Sequence, residues 1–388
     1  MTTSSRIGRS VPGPSGGGER WAAYLPPPLP PVDPPLDMGA LYPLLDAATT
    51  ALGRLDGMAG TLPDLGLVLY MYIRKEAMLS SQIEGTQSSL TDLLLFEMDE
   101  APGVPPDDAA EVLRYVRAMD YGLERLKTLP LSLRLLREIH AVLMTGAPRG
   151  GEKQPGAFRT SQNWIGGTRP GNAAFVPPPP HEVLPCMAAL EDFLHGKGGH
   201  LPVLIRAALA HAQFETIHPF LDGNGRLGRL LITFMLCAEG LLSEPLLYLS
   251  LYLKTHRQVY YDHLQAVRTQ GAWEAWVAFF LEGVAEVAQQ ATQTARDLTA
   301  LCQEDQRRVR AQSAATAAFN IHAYLQRRPM TKIPEAADIC GISYPTAMRG
   351  LTVLERLGIV REITGRPRHK VFVYEAYMDI LKRGTEHA

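Results

Sequence analysis

The chain has 388 residues, 46% of them hydrophobic and 20% charged, with a formal net charge of −2. That apolar content excludes a disordered chain, and the length leaves room for two or three domains around a sizeable core. No apolar run approaches the roughly 18 residues of a membrane span, and the opening MTTSSRIGRSVPGPSGGGER lacks the apolar segment of a signal peptide. The expectation is a soluble, cytoplasmic protein without a membrane partner. Cys186, Cys237, Cys302 and Cys340 lie far apart with no CxxC pair, which argues against both a zinc site and a disulfide framework.

In chain order, Gly, Pro and Ser dominate the first eighteen residues, and residues 1–24 read as a disordered tail. YLPPPLPPVDPP then predicts an extended polyproline segment laid against the domain, with a PxxP ligand for a partner as the alternative. From Met38 to Leu126 the apolar residues recur at helical spacing, with breaks at Gly60 to Pro63 and in APGVPP at Ala101 to Pro106. Residues 132–146 predict another helix. Between Gly150 and Pro180, NWIGGTRPGNAAFVPPPP sets short apolar runs on either side of a Gly- and Pro-rich turn, which predicts a β-hairpin over 163–176.

Helices resume near Glu182. Leu201 to Ile217 predicts a strong amphipathic helix that delivers His218 at its C-terminal end. Pro219 stops it, and apolar periodicity restarts at Leu227 and runs to Gly240, a suitable C-terminal cap. HPFLDGNGRLGR, residues 218–229, therefore begins as a loop feeding a helix N-terminus. Stretches 252–268 and 272–310 complete a mostly helical body.

After residue 310 the pattern changes. A helix over Ala314 to Arg327 precedes two short helical runs separated by Gly341, then a two-stranded hairpin around GRPRHK. This order predicts a winged helix with Ser343 to Leu357 as recognition helix. Residues 313–388 carry 11 Lys and Arg against 7 Asp and Glu, an excess that permits nucleic-acid contact. Tyr344, Thr346 and Arg349 near the start of that helix, with Arg366, Arg368, His369 and Lys370 in the wing, are the candidates for DNA, and protein docking or dimer formation is the alternative.

The chemistry concentrates in residues 218–229. Gly223 and Gly225 let backbone N–H groups converge on an anion without Cβ obstruction, and the following helix adds unpaired N–H groups and its positive dipole end. Arg226 and Arg229 supply charge-assisted donors to further phosphate oxygens. Asp222, an acid in a site otherwise suited to anions, is placed to hold an oxygen-seeking divalent cation such as Mg²⁺. His218 is suited to take a proton from an attacking hydroxyl.

The string resembles the signature HxFx(D/E)GNGRxxR of the Fic-domain family at His218, Phe220, Asp222, Gly223, Asn224, Gly225, Arg226 and Arg229. The resemblance implies transfer of AMP from ATP to a Ser, Thr or Tyr hydroxyl of a protein, self-modification included, with Mg²⁺ assisting. It implies His218 as general base, Asp222 as metal ligand, Gly223, Asn224, Gly225 and Arg226 around the α- and β-phosphates, and Arg229 at the γ-phosphate. Phe220 reads as a buried anchor. The predicted hairpin resembles the family's flap, which registers the target by strand-like pairing, with Ile165, Gly166 and Gly167 as its residues.

SSQIEG at residues 80–85 resembles the family's inhibitory motif (S/T)xxxE(G/N), here Ser80, Glu84 and Gly85. Ser80 and Glu84 share one helix face, so both can point at one pocket. A Glu84–Arg229 pair would remove the γ-phosphate's partner. The implied fold is mainly α: a Fic-type helical bundle with a small β-hairpin flap, plus a C-terminal winged helix. The divisions expected are residues 1–24 as tail, 25–130 as the N-terminal helical region with the inhibitory helix, 131–310 as the catalytic core and 311–388 as the winged helix. A homodimer is also expected from the resemblance. The rival readings are a DNA-binding regulator whose Fic domain senses nucleotide, and a Fic enzyme that removes AMP or transfers another nucleotide.

Overall fold

The computed structural model describes residues 6–13, 20–60, 65–98, 106–146, 154–197, 199–312 and 316–385. The helices are α1 (Met38–Ala59), α2 (Gly66–Ile83), α3 (Leu90–Glu97), α4 (Pro106–Leu126), α5 (Leu133–Met144), α6 (Pro180–Leu194), α7 (Val203–Ile217), α8 (Asn224–Ala238), α9 (Ser250–Thr255), α10 (Arg257–Gln270) and the 38-residue α11 (Trp273–Arg310). Several start where the sequence supplies a side-chain acceptor for free N–H groups: Asp37 caps α1, Ser89 and Asp92 form a reciprocal capping box on α3, and Ser132 caps α5. The expected breaks at Gly60 to Pro63 and Ala101 to Pro106 fall largely outside the described residues.

The central helix differs from its expected form. α7 is buried on nearly every side, from Leu204 through Ile217 with Arg206 the exception. Its alanine-rich sequence has no continuous polar stripe, so it forms the hub of the bundle and not an amphipathic surface helix. α7 packs against α8 and α11, α11 against α1, and α2 against both α4 and α9. The helix expected over 252–268 is broken at His256, where α9 ends and α10 begins.

The N-terminal tail also departs from expectation. Arg9–Pro12 is a strand (β1) paired antiparallel with Ala22–Leu25 (β2), with Arg9 opposite Leu25. The Gly8 N–H bonds the Tyr24 hydroxyl at 2.7 Å, Arg6 pairs with Glu274, and the Trp273 indole donates to the Arg6 carbonyl. Tyr24, Arg6 and the α11 start thus supply the partners that a composition-based reading does not see; residues 1–5 and 14–19 lie outside the described residues. The polyproline segment does lie on the domain, with Gln213 donating to the Pro27 carbonyl at 2.8 Å.

C-terminal to α11 come α12 (Thr316–Arg327), β3 (Met330–Lys332), α13 (Ile333–Ile339), α14 (Tyr344–Arg356), β4 (Arg361–Glu362), β5 (Val371–Val373) and α15 (Glu375–Lys382). The sheet has order β3-β5-β4, all antiparallel. Gly341, at φ +62°, makes the turn between α13 and α14. The short helix α15 was not expected; it buries Tyr377, Met378, Ile380 and Leu381 and returns the chain to α11. No helix among the described residues is long and apolar enough to cross a membrane.

The packing of α4 on α8 depends on a small residue. A Cβ on Gly122 would lie 2.3 Å from Phe234 Cζ and 3.1 Å from Ile139 Cδ1. Gly122→Val should therefore lower stability by about 1–3 kcal/mol through overpacking, even though valine costs less than glycine in a helix; thermal unfolding that is unchanged or raised would show that this contact does not limit the packing.

Candidate functional site

The site is built on the reversal between α7 and α8. His218 is the C-cap of α7 and holds φ +50°, ψ +59°, a left-handed conformation that costs a non-glycine residue roughly 1–2 kcal/mol. Arg159, 2% exposed, stabilises it: Nε donates to the His218 carbonyl at 2.9 Å, Nη2 to the Pro178 carbonyl at 2.6 Å and, more weakly, to that of Ile217 at 3.4 Å. The Arg159 backbone N–H also bonds the Pro219 carbonyl at 2.9 Å. One buried guanidinium thus satisfies the carbonyls that the end of a helix leaves open.

Phe220 is fully buried and stacks on His140 of α5, with ring centroids 3.7 Å apart. The Gly156 N–H donates to His140 Nδ1 at 2.9 Å, which leaves the ring proton on Nε2 to donate to the Asp222 carbonyl at 3.0 Å. Burial pushes His140 down to about 4, so the ring stays neutral and keeps this tautomer. Asn224 closes the loop from the other side, accepting from the Phe220 N–H at 2.9 Å and donating to its carbonyl at 2.8 Å.

That last pair changes the expected boundary and one expected contact. α8 begins at Asn224, not Leu227, because an opening helical turn does not use its N–H groups internally and so tolerates Asn and Gly. The side-chain amide of Asn224 is committed to Phe220, so its contribution to an anion lies in its backbone N–H. The first helical bond is the Leu227 N–H to the Gly223 carbonyl, which leaves the N–H groups of Asn224, Gly225 and Arg226 at the head of the helix. Gly223 sits at φ +76°, and a Cβ there would come 2.8 Å from Met144 Sδ.

His218, Asp222, Gly223, Asn224, Gly225 and Arg226 line one cleft of about 510 Å³, together with Glu84, Gly85, Ile165 and Gly166. Burial first, then Arg268 and Arg159, push His218 down to about 4, against the opposing pull of Glu84 and the Glu215 backbone. The imidazole is therefore neutral near pH 7. Arg229 does not itself line the cleft; it is 2% exposed behind Glu84, where Nε donates to Ser80 Oγ at 2.8 Å, and Nη2 to the Ser80 carbonyl at 2.8 Å and to Glu84 Oε1 at 2.7 Å. Burial pushes the Glu84 carboxyl up, but Arg229, with Arg226 and His218, outweighs it and holds Glu84 below its ordinary range. The same carboxylate lies over the head of α8, since a Cβ on Gly225 would meet Glu84 Oε1 at 2.1 Å.

The expected hairpin is present only as one bridge, Ile165 opposite Phe175, with mutual bonds of 2.8 and 3.1 Å. A 3₁₀ turn at Pro170–Asn172 and the Asn172 side chain, which accepts from the Thr168 and Arg169 N–H groups, fill the tip where strand pairing was expected. Ile165 and Gly166 face the cleft; Gly167 does not line it and instead packs on Asn172. Phe175 is anchored under the Arg268 guanidinium, 4.0 Å from its ring centroid.

Two family models match: the Fic/DOC family N-terminal region over residues 42–124 and the Fic/DOC family over residues 130–236. Residues 42–124 and 130–236 thus form a Fic/DOC region within the chain. It is 33% identical over 207 residues to a protein adenylyltransferase Fic of Culex quinquefasciatus and 34% identical over 209 residues to that of Aedes aegypti, in each case covering 52% of this chain. The chain spans 38% of the length of these curated relatives. A Fic family protein of Desulfovibrio desulfuricans G20 shares the Fic fold at TM-score 0.56 and 21% identity, over 86% of this chain and 95% of that one.

Sequence reasoning passed over His140, Arg159, Glu111 and Glu215. Glu215, in the last turn of α7, is buried, and its Oε1 makes no hydrogen bond. Burial, with Glu84 adding and Arg229 and Arg268 opposing, pushes it up to about 7. A folded-state value above the ordinary 4.5 means that its contribution to stability is fully present below about pH 4.5 and is lost as pH rises through 7. Glu215→Gln, which cannot ionise, should gain stability relative to the parent between pH 5 and pH 8, by a difference on the order of 2 kcal/mol. Thermal unfolding at the two pH values checks this, and a constant difference would refute it.

Proposed function

We propose that this Fic protein transfers AMP from ATP to a side-chain hydroxyl of a protein, and that Glu84 restrains it. The observation that carries the reading is the meeting of a neutral histidine with the open N–H groups at the head of α8 in one cleft. Those N–H groups and the helix dipole suit phosphate oxygens, Arg226 suits the α- and β-phosphates, and Arg229 suits the γ-phosphate once Glu84 has left. The names of the curated relatives support the same activity.

The neutral His218 accepts the proton of the target hydroxyl. The hydroxyl oxygen forms a bond to the α-phosphorus, the bond from that phosphorus to the bridging oxygen breaks, and pyrophosphate leaves. Mg²⁺ suits Asp222, whose carboxylate lines the cleft and whose Oδ1 accepts from the Gly223 N–H at 2.7 Å. Mg²⁺ is commonly held by one or two carboxylates with phosphates and water. When bound, the ion would neutralise phosphate charge. Ile165 and Gly166 offer backbone at the cleft edge to the target segment.

The C-terminal module is read as a winged helix with duplex DNA as its partner, because Tyr344 and Arg349 on α14 and Arg366, Arg368, His369 and Lys370 in the wing are all exposed. Thr346 is half-buried beside them. Duplex affinity that falls steeply with salt is expected, and salt-insensitive or absent binding would remove this partner.

For the transfer itself, Glu84→Gly incubated with ATP and Mg²⁺ should gain one AMP mass on itself or on an added protein target, well above the parent, and Glu84→Gly/His218→Ala should lose at least 100-fold of that rate. Equal labelling by parent and Glu84→Gly would end the restraint, and labelling that survives His218→Ala would end the base. With Glu84 in place His218 lies at about 4, and Glu84 pulls it upwards; in Glu84→Gly it lies no higher, so the rate should not fall between pH 8 and pH 6 through this group.

A further inference from the structure

Arg229 is not the only arginine of the motif held by an acid from the N-terminal helices. Arg226 Nη1 pairs with Glu111 Oε1 of α4 at 2.9 Å. The Arg226 side chain is 7% exposed, and its Nη2 lies 3.7 Å from Asp222 Oδ1 and 3.8 Å from Met144 Sδ. Its Nε is buried and has no hydrogen-bond partner. The guanidinium is thus turned towards α4 by one pair at 2.9 Å while a buried donor stays unsatisfied, an arrangement that favours any incoming acceptor oxygen.

The surroundings of that pair are acidic. Glu84, Asp107, Asp108, Glu111 and Asp222 line the cleft, against the cations Arg114 and Arg226. Of these acids, Asp108 accepts from the Gln87 N–H at 2.8 Å, Glu84 holds Arg229, and Asp222 accepts from the Gly223 N–H at 2.7 Å. Among the described residues Glu111 forms its salt bridge with Arg226, in the first turn of α8, and Arg114 also acts on its carboxylate. Arg226 and Arg229 are three apart on one helix and are engaged by acids from two different helices, α4 and α2. Displacing Glu84 therefore frees only one of the two.

We propose that Glu111 is a second restraint on the cleft: it competes with nucleotide phosphate for the Arg226 guanidinium, independently of Glu84, and so sets the affinity for ATP. This rests on the reading of the cleft as an ATP site. The competition is electrostatic and local. A phosphate oxygen and the Glu111 carboxylate seek the same planar fork of donors, and the carboxylate adds negative charge where the triphosphate must sit.

The test uses the full chain with His218→Ala, so that nothing turns over, and compares this parent with forms also carrying Glu84→Gly, Glu111→Gln, or both. Calorimetry measures binding of MgATP, inorganic tripolyphosphate and adenosine. Glu111→Gln should tighten MgATP and tripolyphosphate at least threefold beyond Glu84→Gly and leave adenosine unchanged. Glu111→Asp, one methylene shorter, retains the charge while drawing it back from Arg226 and should give part of the gain; thermal unfolding confirms that both variants fold. If Glu84→Gly binds MgATP and Glu111→Gln leaves its affinity unchanged or weakens it, the second restraint is overturned and the ATP site stands. If no form binds nucleotide, both fall.

Discussion

The left-handed turn at His218 is the constraint on which the rest of the site depends. α7 must end there with its last carbonyls buried in the bundle, and buried carbonyls need donors. Arg159 supplies them from a loop nearly sixty residues away, and its own cost of burial, seen in a value pushed down to about 10, is offset by four carbonyl acceptors. Once that turn is held, Pro219 and Phe220 enter the core, and Asn224 can start α8 facing back towards the imidazole. The neutral histidine, the loop carboxylate and the open N–H groups are neighbours because one buried cation fixes the reversal between two helices.

The second organising principle is opposition of charge. A cleft suited to an anion must keep its cations partnered in the ligand-free state, since an isolated buried guanidinium is strongly unfavourable. Arg229 meets this with Ser80 and Glu84, and Arg226 with Glu111 and the more distant Asp222. The acids that stabilise the empty cleft are therefore the groups that an incoming polyanion has to replace. Stability of the resting form and resistance to ligand arise from the same contacts.

How much of this was legible in the sequence depends on whether the interacting residues are close in the chain. Residues 218–229 and 80–85 carry their chemistry at short fixed offsets, so His218, Asp222, Arg226, Arg229 and Glu84 stood out before any geometry. Arg159 follows a Gly- and Pro-interrupted stretch without helical or strand periodicity, and His140 sits on the apolar face of α5, where a histidine resembles any other core residue. Glu111 belongs to PDDAAEVLR, which has the look of a solvated helix start. Each of these acts through a partner 59 to 115 residues away, and local pattern has no access to that distance. The strand β1 was hidden for a related reason: its composition is that of a tail, and what orders it is Tyr24 together with the start of α11.

The burial of α2 limits how Glu84 can leave Arg229. Glu76 is 3% exposed and accepts from the Ser250 N–H at 3.0 Å, the Ser250 hydroxyl at 2.5 Å and the Tyr115 hydroxyl at 3.2 Å. Lys75, fully buried, donates to the Arg383 carbonyl at 3.2 Å and lies 4.4 Å from the Tyr248 ring centroid. Farther along, Arg74 pairs with Glu97 at 2.6 Å. Withdrawing the whole helix would orphan a buried carboxylate and a buried ammonium together, at a cost of several kcal/mol. Glu84, by contrast, is the C-cap of α2, is followed by Gly85 at φ +108°, and has a side chain 36% exposed. A rotation confined to the residues after Ser81 would break the Glu84–Arg229 pair while leaving the Ser80 contacts of Arg229, and Glu76 and Lys75, undisturbed. The proposed Glu84 restraint is thus the end of a fixed helix, and what a ligand must overcome at Arg229 is the Glu84 pair, not the packing of the helix behind it.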